Sequence, residues 1–454
     1  MASQAEIVLD PAAETTKEIL DRLFPPPRFF GVRLWDGMEL PSRPDPPFSI
    51  VLNFPGSLRR MLAPPLELSF GEGYIYGDFN IEGDIYGIFG LLDALVAQNF
   101  TPAEIAGLFN LVQQLPRSEL QQVQARGPAE LHGPVHSRKR DREAIRFHYD
   151  VGNDFFGLWL DPQMQYSCGY FPTGRESLAE AQTKKIEYIC RKLRLQPGER
   201  LLDIGCGWGG LARAAARRFG VSVLGVTLSP RQAEYAAEQN ARLRLGDRVR
   251  VELRDYRDLG AESFDKIVSV GMFEHVGRTH LPEYFAKVHR LLKPGGLFLN
   301  HGISRRGRAA DLALLRGLPG PDRKGARLGN YFERRILGSG TFSQRYVFPD
   351  GELVPVSEAD LVAEAAGFEV RDVEDLREHY ALTLRSWVRR LEEQRTEAVC
   401  LAGEEVFRTW QLYLSSSALQ FEAARIGIHQ SLLAKPAGGK AGLPLSRADI
   451  YAPD

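Results

Sequence analysis

From residue 178 onward the chain alternates between two hydrophobic periods. Ile186, Ile189 and Leu193 recur at helical spacing, and Pro197-Gly198 ends that helix. Leu201, Leu202 and Ile204 then form a short apolar run, the signature of a buried strand. The run opens RLLDIGCGWGG at residues 200–210, in which Gly205, Gly207 and Gly210 stand in GxGxxG spacing. Residues 211–219 follow as a helix rich in Ala and Arg. Strand, glycine turn and helix begin a nucleotide-binding βαβ unit, since glycines permit a tight turn and the helix N-terminus presents free N–H groups. The rhythm continues with strands at 221–228, 249–253, 264–270 and 297–300 and helices at 230–243 and 281–291. It predicts a mostly parallel, doubly wound α/β sheet whose ligands bind at the carboxyl ends of the strands. Thr227, Asp255, Gly271 to Glu274 and His301 should therefore share one crevice with the glycine loop. Beyond it lie a hairpin-like piece at 345–353, a helix at 358–366, a strand at 368–373 and two long helices at 382–402 and 405–426. The tail from Pro436 reads as frayed.

The first 125 residues follow a different pattern and predict a small added N-terminal α+β domain, suited to dimerisation or to lining a lipid groove. A helix at 14–23 stops at Pro25-Pro26-Pro27. Strand-like pieces follow at 29–34, 48–54, 66–70, 74–79 and 89–96, punctuated by Gly73, Gly77, Gly83 and Gly87. Thr101 with Glu104 has capping-box spacing for one more helix. Residues 126–143 read as a linker with a basic cluster at Arg138, Lys139, Arg140 and Arg142. Residues 144–435 then form the catalytic domain and 436–454 a tail.

Eight aromatic side chains lie between Phe147 and Phe171. That density exceeds what a surface connector requires and predicts a segment closing over something apolar or cationic.

Composition narrows the classes. With 57 Lys and Arg against 58 Asp and Glu in 454 residues, the chain as a whole is not a polyanion binder, which disfavours nucleic acid. The four cysteines, Cys168, Cys190, Cys206 and Cys400, are scattered, which fits a reducing cytoplasm rather than a disulfide framework or a zinc site. The first ten residues lack a signal-peptide pattern, and the best apolar run, 88–97, is too short to span a bilayer. One local exception to the charge balance stands out: residues 301–335 carry nine Lys or Arg and three Asp or Glu. Each basic residue near an anionic membrane contributes about 1 kcal/mol, so this stretch suits peripheral association with one.

A dinucleotide site needs an acidic residue roughly 20 positions after the glycines. Here the next strand ends VTLSP, with Thr227 and Ser229 and no acid. Asp203 before the glycines, Asp255 and the KPGG turn suit S-adenosylmethionine better, in a class I methyltransferase fold.

Several longer motifs sharpen this: HYDVGNDFFGLWLD, MQYSCGYF, LLDIGCGWGG, GVTLSPRQ, DYRDL, SVGMFEHVG, NHGIS and YVFPDGEL, in order over about residues 145–355. With WQLYLSSSALQFEAARIG near the end, the chain resembles the cyclopropane-fatty-acyl-phospholipid synthase family, including its mycolic-acid-modifying relatives. The resemblance implies transfer of a methyl(ene) group from S-adenosylmethionine to a cis double bond of phospholipid acyl chains. The carbocation so formed is deprotonated by bound bicarbonate. It implies Glu274, His301 and Tyr346 as side-chain holders of that anion, with backbone near Cys168 and Ile303. For the cofactor it implies Tyr166 and Ser167 as a lid, Leu202 to Gly210 (Asp203, Gly205, Cys206, Gly207 and Gly209 among them) at the amino-acid moiety, Thr227, Ser229 and Gln232 at the ribose, and Tyr256 with Arg257 at the adenine. No metal is implied. The expected setting is cytoplasmic, at the inner face of an anionic membrane, with a homodimer as an option. A methylene- or methyl-branched product and a non-catalytic lipid binder are the alternatives. One departure is Ser417, which stands where many members of the family carry a cysteine.

Overall fold

A computed structural model describes residues 10–98, 100–117, 127–307 and 340–451. The basic stretch singled out above lies largely outside them. The chain divides into two compact units. The first takes Met1–Gly127, Asp322–Tyr346 and Gly403–Ser416; the second takes Pro128–Pro321, Val347–Ala402 and Ser417–Asp454.

In the first unit β1 (Gly31–Arg33), β2 (Glu39–Leu40), β3 (Phe48–Leu52) and β4 (Phe79–Gly83) form a sheet in the order β2-β1-β3-β4. Phe48, Ile50 and Leu52 alternate inward along β3, and the Phe48 ring stacks on Phe30 at 5.6 Å between centroids. Two pieces expected as strands are helices, Leu66–Ile75 and Gly90–Ala97. Gly73, which reads as strand punctuation, is instead a packing point on the first of these: a Cβ there would lie 3.3 Å from Met61 Cγ and from the Phe79 ring. The helix Pro102–Gln114 starts with the expected capping box at Thr101 and Glu104.

The second unit is built on seven strands: β5 (Arg200–Ile204), β6 (Ser222–Thr227), β7 (Val249–Leu253), β8 (Phe264–Val270), β9 (Leu292–Arg305), β10 (Glu369–Asp375) and β11 (Ile426–Ala434). Their order is β10-β11-β9-β8-β5-β6-β7. β5 to β9 are parallel to their neighbours, and β11 runs antiparallel to both β9 and β10. The sheet is the doubly wound, mostly parallel one of class I methyltransferases. Its faces separate by the two-residue period. Leu201, Val268, Leu297 and Leu299 join one core with Ile186, Ile189 and Ala215, whereas Leu202, Ile267 and Phe298 join another with Tyr284, Phe285 and Phe368. The chain leaves β5 toward β6 and β7, then returns to place β8 and β9 on its other side. That reversal opens a crevice at the carboxyl end of β5.

Four expectations are corrected here. The helix Arg138–Tyr149 occupies the end of the stretch read as a linker, tied down by Arg140 to Asp350 and by Asp141 to Arg257. The hairpin-like 345–353 is instead the end of a helix, Thr341–Tyr346, and a turn. The penultimate helix breaks into Arg377–Glu393 and Arg395–Ala402, and the last ends at Glu422, where the chain turns into the unforeseen β11. The tail is not frayed throughout: Ala448–Tyr451 is a helical turn, with Tyr451 bonded to Tyr188 and Ile450 buried.

Candidate active site

The crevice is a cleft of about 1220 Å³, its open mouth included. Its floor is the glycine loop. Gly205, Gly207 and Gly209 have φ of 77°, 55° and 78°, the left-handed region that side chains disfavour. The first turn of the helix Gly210–Phe219 is also close-packed: a Cβ on Gly210 would lie 2.2 Å from Gln165 Nε2 and 2.4 Å from the Gln163 carbonyl oxygen. Asp203, Gly205, Cys206, Gly207, Thr227, Gln232, Tyr256, Arg257, Tyr166 and Ser167 all line the cleft. Gly209 and Ser229 do not line it. Gly209 caps the helix behind the loop, and Ser229 caps the next, its Oγ accepting from Gln232 N–H. Most polar groups here are satisfied. The Thr227 hydroxyl donates to Gln232 Oε1 at 2.7 Å. Arg257 forks onto Asp255 and reaches Asp141 at 2.9 Å. Burial opposes the Asp255 charge, yet the Arg257 guanidinium prevails and holds that carboxyl below its usual range. Asp203 is the exception: burial raises it to about 7, and its Oδ2 has no hydrogen-bond partner.

The wall opposite the loop is the aromatic segment. The Tyr166 ring lies between 5.2 and 5.7 Å from those of Trp387, His148, Trp159 and Phe156. Trp208, of the glycine loop, packs on Phe156 at 5.2 Å. Such pairs contribute about 0.5–1.5 kcal/mol each beyond their burial; of these rings, Tyr166 and Trp208 line the cleft.

Glu274, His301, Cys168 and Tyr346 are buried rather than lining the cleft. Glu274 falls between Met272 and His275, both of which line the cleft, but is itself buried. Its Oε1 accepts the Ile303 N–H at 2.6 Å, and its Oε2 has no partner. Burial pushes its carboxyl up to about 7. His301, fully buried on β9, has its Nδ1 3.1 Å from Gln430 Nε2 on β11, while its Nε2 is unpartnered. An amide nitrogen only donates, so Nδ1 accepts and the ring proton sits on Nε2. Burial, reinforced by Lys185 and Lys192, keeps the ring neutral. Cys168 is buried, its thiol donating to the Gly169 carbonyl at 3.2 Å, and burial pushes its pKa up, so it stays a thiol. Tyr346 closes a segment of the first unit, where its hydroxyl donates to Glu72 at 2.8 Å and lies 3.0 Å from that of Tyr76.

The glycine cradle, the orphaned Asp203 oxygen and the aromatic wall fit a ligand with a cationic centre and an amino-acid group. The unpartnered Glu274 Oε2 and His301 Nε2 fit a small anion. The Ile303 N–H does not, because Glu274 already takes it.

Sequence reasoning missed Gln430, and also Lys185, whose Nζ donates to Gln165 Oε1 and Ser167 Oγ, each at 2.7 Å. For Lys185 the signal was present. It falls in register with Gln182, Ile186 and Ile189, on the inward face of its helix, where a lysine is out of place.

Residues 136–431 match the family model described as mycolic acid cyclopropane synthetase. Over 422 residues the chain is 38% identical to a probable fatty acid methyltransferase of Pseudomonas putida, covering 92% of this chain and 95% of that one. It is 37% identical over 313 residues to the cyclopropane-fatty-acyl-phospholipid synthase of Escherichia coli, covering 69% of this chain and 72% of that one. Among solved structures it resembles mycolic acid cyclopropane synthase CmaA1 complexed with SAH and CTAB. The TM-score is 0.56 at 34% identity, over 64% of this chain and 97% of the other.

Proposed function

The chain belongs to the mycolic acid cyclopropane synthetase family and is an S-adenosylmethionine-dependent methyltransferase, and on that premise we propose that it builds cyclopropane rings on unsaturated acyl chains of phospholipids. The observation that carries the reading is that two buried polar atoms, Glu274 Oε2 and His301 Nε2, have no hydrogen-bond partner among the described residues. An orphaned buried polar atom costs about 1–3 kcal/mol, and on this reading a small anion would offset that cost at both.

S-adenosylmethionine supplies an electrophilic methyl group on a sulfonium. Asp203 to Gly207 hold its amino-acid end, Thr227 and Gln232 its ribose, and Tyr256 with Arg257 its adenine. An alkene is a weak nucleophile, so the chain's own contribution is alignment and exclusion of water. Methyl addition leaves positive charge on the acyl chain, and the rings around Tyr166 face it. One proton must then leave the added methyl for the ring to close. Bicarbonate is the small base we assign to that task. Glu274 and His301 hold it from the second unit, His301 through its Nε2–H and Glu274 by taking up a proton. Tyr346, in the first unit, gives its hydroxyl proton to Glu72 and has no part in this scheme. The cysteine replaced by Ser417 is dispensable in this scheme. The enzyme works in the cytoplasm on an anionic membrane surface; among the described residues no helix is long and apolar enough to cross a bilayer.

A second product class is favoured by the likeness to the Pseudomonas putida relative, whose name is that of a fatty acid methyltransferase. In it the same cation loses a different proton and leaves a methylene- or methyl-branched chain. Incubation with methyl-labelled S-adenosylmethionine and oleoyl phospholipid vesicles, followed by fatty-acid analysis, separates the outcomes. Label in a cyclopropane chain supports the first reading and label in a branched chain the second. Label only in free oleate, offered in parallel, refutes the phospholipid substrate, and an unlabelled lipid fraction refutes both. Loss of rate in carbon-dioxide-free buffer, restored by added bicarbonate, is expected for the base.

A further inference from the structure

Lys185 has an environment that packing alone does not explain. It sits in the middle of the helix Leu178–Lys192 and is fully buried; among the described residues it forms no ion pair, although the charges of Asp161 and Asp203 act on it from farther off. Its Nζ spends two protons on neutral oxygens, Gln165 Oε1 and Ser167 Oγ, both at 2.7 Å. Gln165 and Ser167 both line the cleft. The neighbouring Gln182 fixes the same segment by donating to the Ser167 carbonyl at 2.8 Å.

Hydrogen-bond direction follows from chemistry. An ammonium can only donate, so Ser167 Oγ must accept from Lys185. The single Ser167 O–H is then directed away from Lys185, and Ser167 borders the cleft on that other side. We propose that Lys185 is a positioning residue that orients the Ser167 hydroxyl as a donor to the α-carboxylate of the bound cofactor. This assignment rests on reading the cleft as the S-adenosylmethionine site. It accounts for a buried, unpaired cation at this place. A ligand carboxylate adds negative charge nearer than Asp161 and Asp203, neither of which pairs with Lys185, and a hydroxyl already donated to by an ammonium is a stronger donor.

The test compares two nucleosides by calorimetry on the full-length protein. S-adenosylhomocysteine carries the α-carboxylate, and 5′-methylthioadenosine has the same thioether nucleoside without the amino-acid group. Lys185→Met is expected to weaken S-adenosylhomocysteine by about tenfold or more while 5′-methylthioadenosine binds within about twofold of wild type. Ser167→Ala, which leaves the helix untouched, is expected to show the same selective loss. Combining the two should cost less than about twofold beyond either one. Equal losses for both ligands mark a merely structural residue and overturn the proposal, as does a full additional tenfold in the double variant. Should Lys185→Met fail to fold, an undiminished affinity of Ser167→Ala for S-adenosylhomocysteine overturns it alone. If wild type binds neither nucleoside, the cofactor reading falls and takes this assignment with it.

Discussion

The open cleft and the buried residues Glu274 and His301 differ in how far their polar groups are satisfied, Asp203 being the one orphan noted in the cleft. In the cleft, Thr227 is bonded to Gln232 and Arg257 to Asp255 and Asp141, so the walls are largely self-satisfied before a ligand arrives. Glu274 and His301 each keep one atom without a partner at full burial. Self-satisfied walls cost the fold nothing and recognise shape. Unsatisfied buried groups cost stability, and a fold retains them where chemistry uses them. On the proposed reading the contrast separates binding from proton transfer, and each side can be attacked alone.

The largest expected effect is at Glu274. Glu274→Gln should lower methyl transfer by about 10²-fold or more while S-adenosylhomocysteine still binds, measured by turnover and calorimetry; near-normal turnover would refute the proton role. The same residue gives a pH signature. Its carboxyl is raised from 4.5 to about 7, so the folded state keeps a proton that the unfolded state releases. The stability it contributes is complete below about pH 4.5 and is lost as pH rises through about 7. Wild type should therefore lose stability relative to Glu274→Gln across that window, and parallel melting temperatures would contradict it. Turnover should rise over the same range as the basic form appears.

An intermediate effect is expected in the cleft. Gly210→Ala drives a Cβ into the Gln163 carbonyl, 2.4 Å away, and should weaken cofactor binding by roughly tenfold. Loss of turnover with undiminished affinity would mean that the cleft and the buried residues are not separable. The smallest effect is Ser417→Cys, a half-buried site on the helix Glu404–Glu422. Restoring the thiol should leave turnover within about twofold. A large gain would give the proton to sulfur and undo the assignment to Glu274 and His301.

Legibility in the sequence also divides along this line. The glycine loop was readable because its turn needs positive φ and its helix needs a close approach, and both demands write glycine into the chain. Asp255 and Thr227 followed from strand ends. Strand ends also pointed to Glu274 and His301, but their proposed roles, and Tyr346 altogether, were reached through resemblance alone, since no local period tells a buried glutamate at a site from a helix-end one. In the N-terminal stretch Gly73 misled, because a glycine that admits neighbouring side chains looks the same as one that breaks a strand.

The order of β5 to β9, the doubly wound sheet and the seat of the cofactor were determined by the sequence itself, through short-range period and turn chemistry. Only the tertiary structure decided that Ile426–Ala434 is a strand and that Lys185 is buried. β11 carries His429, Gln430 and Ser431 in a row, and its conformation comes from pairing with β9 and β10 on either side. Lys185 follows a helical period that predicts nothing about its charge, and only the segment Gln165–Ser167 folding over it supplies the oxygens that let it stay inside. Contacts between residues far apart in the chain have no local period to announce them.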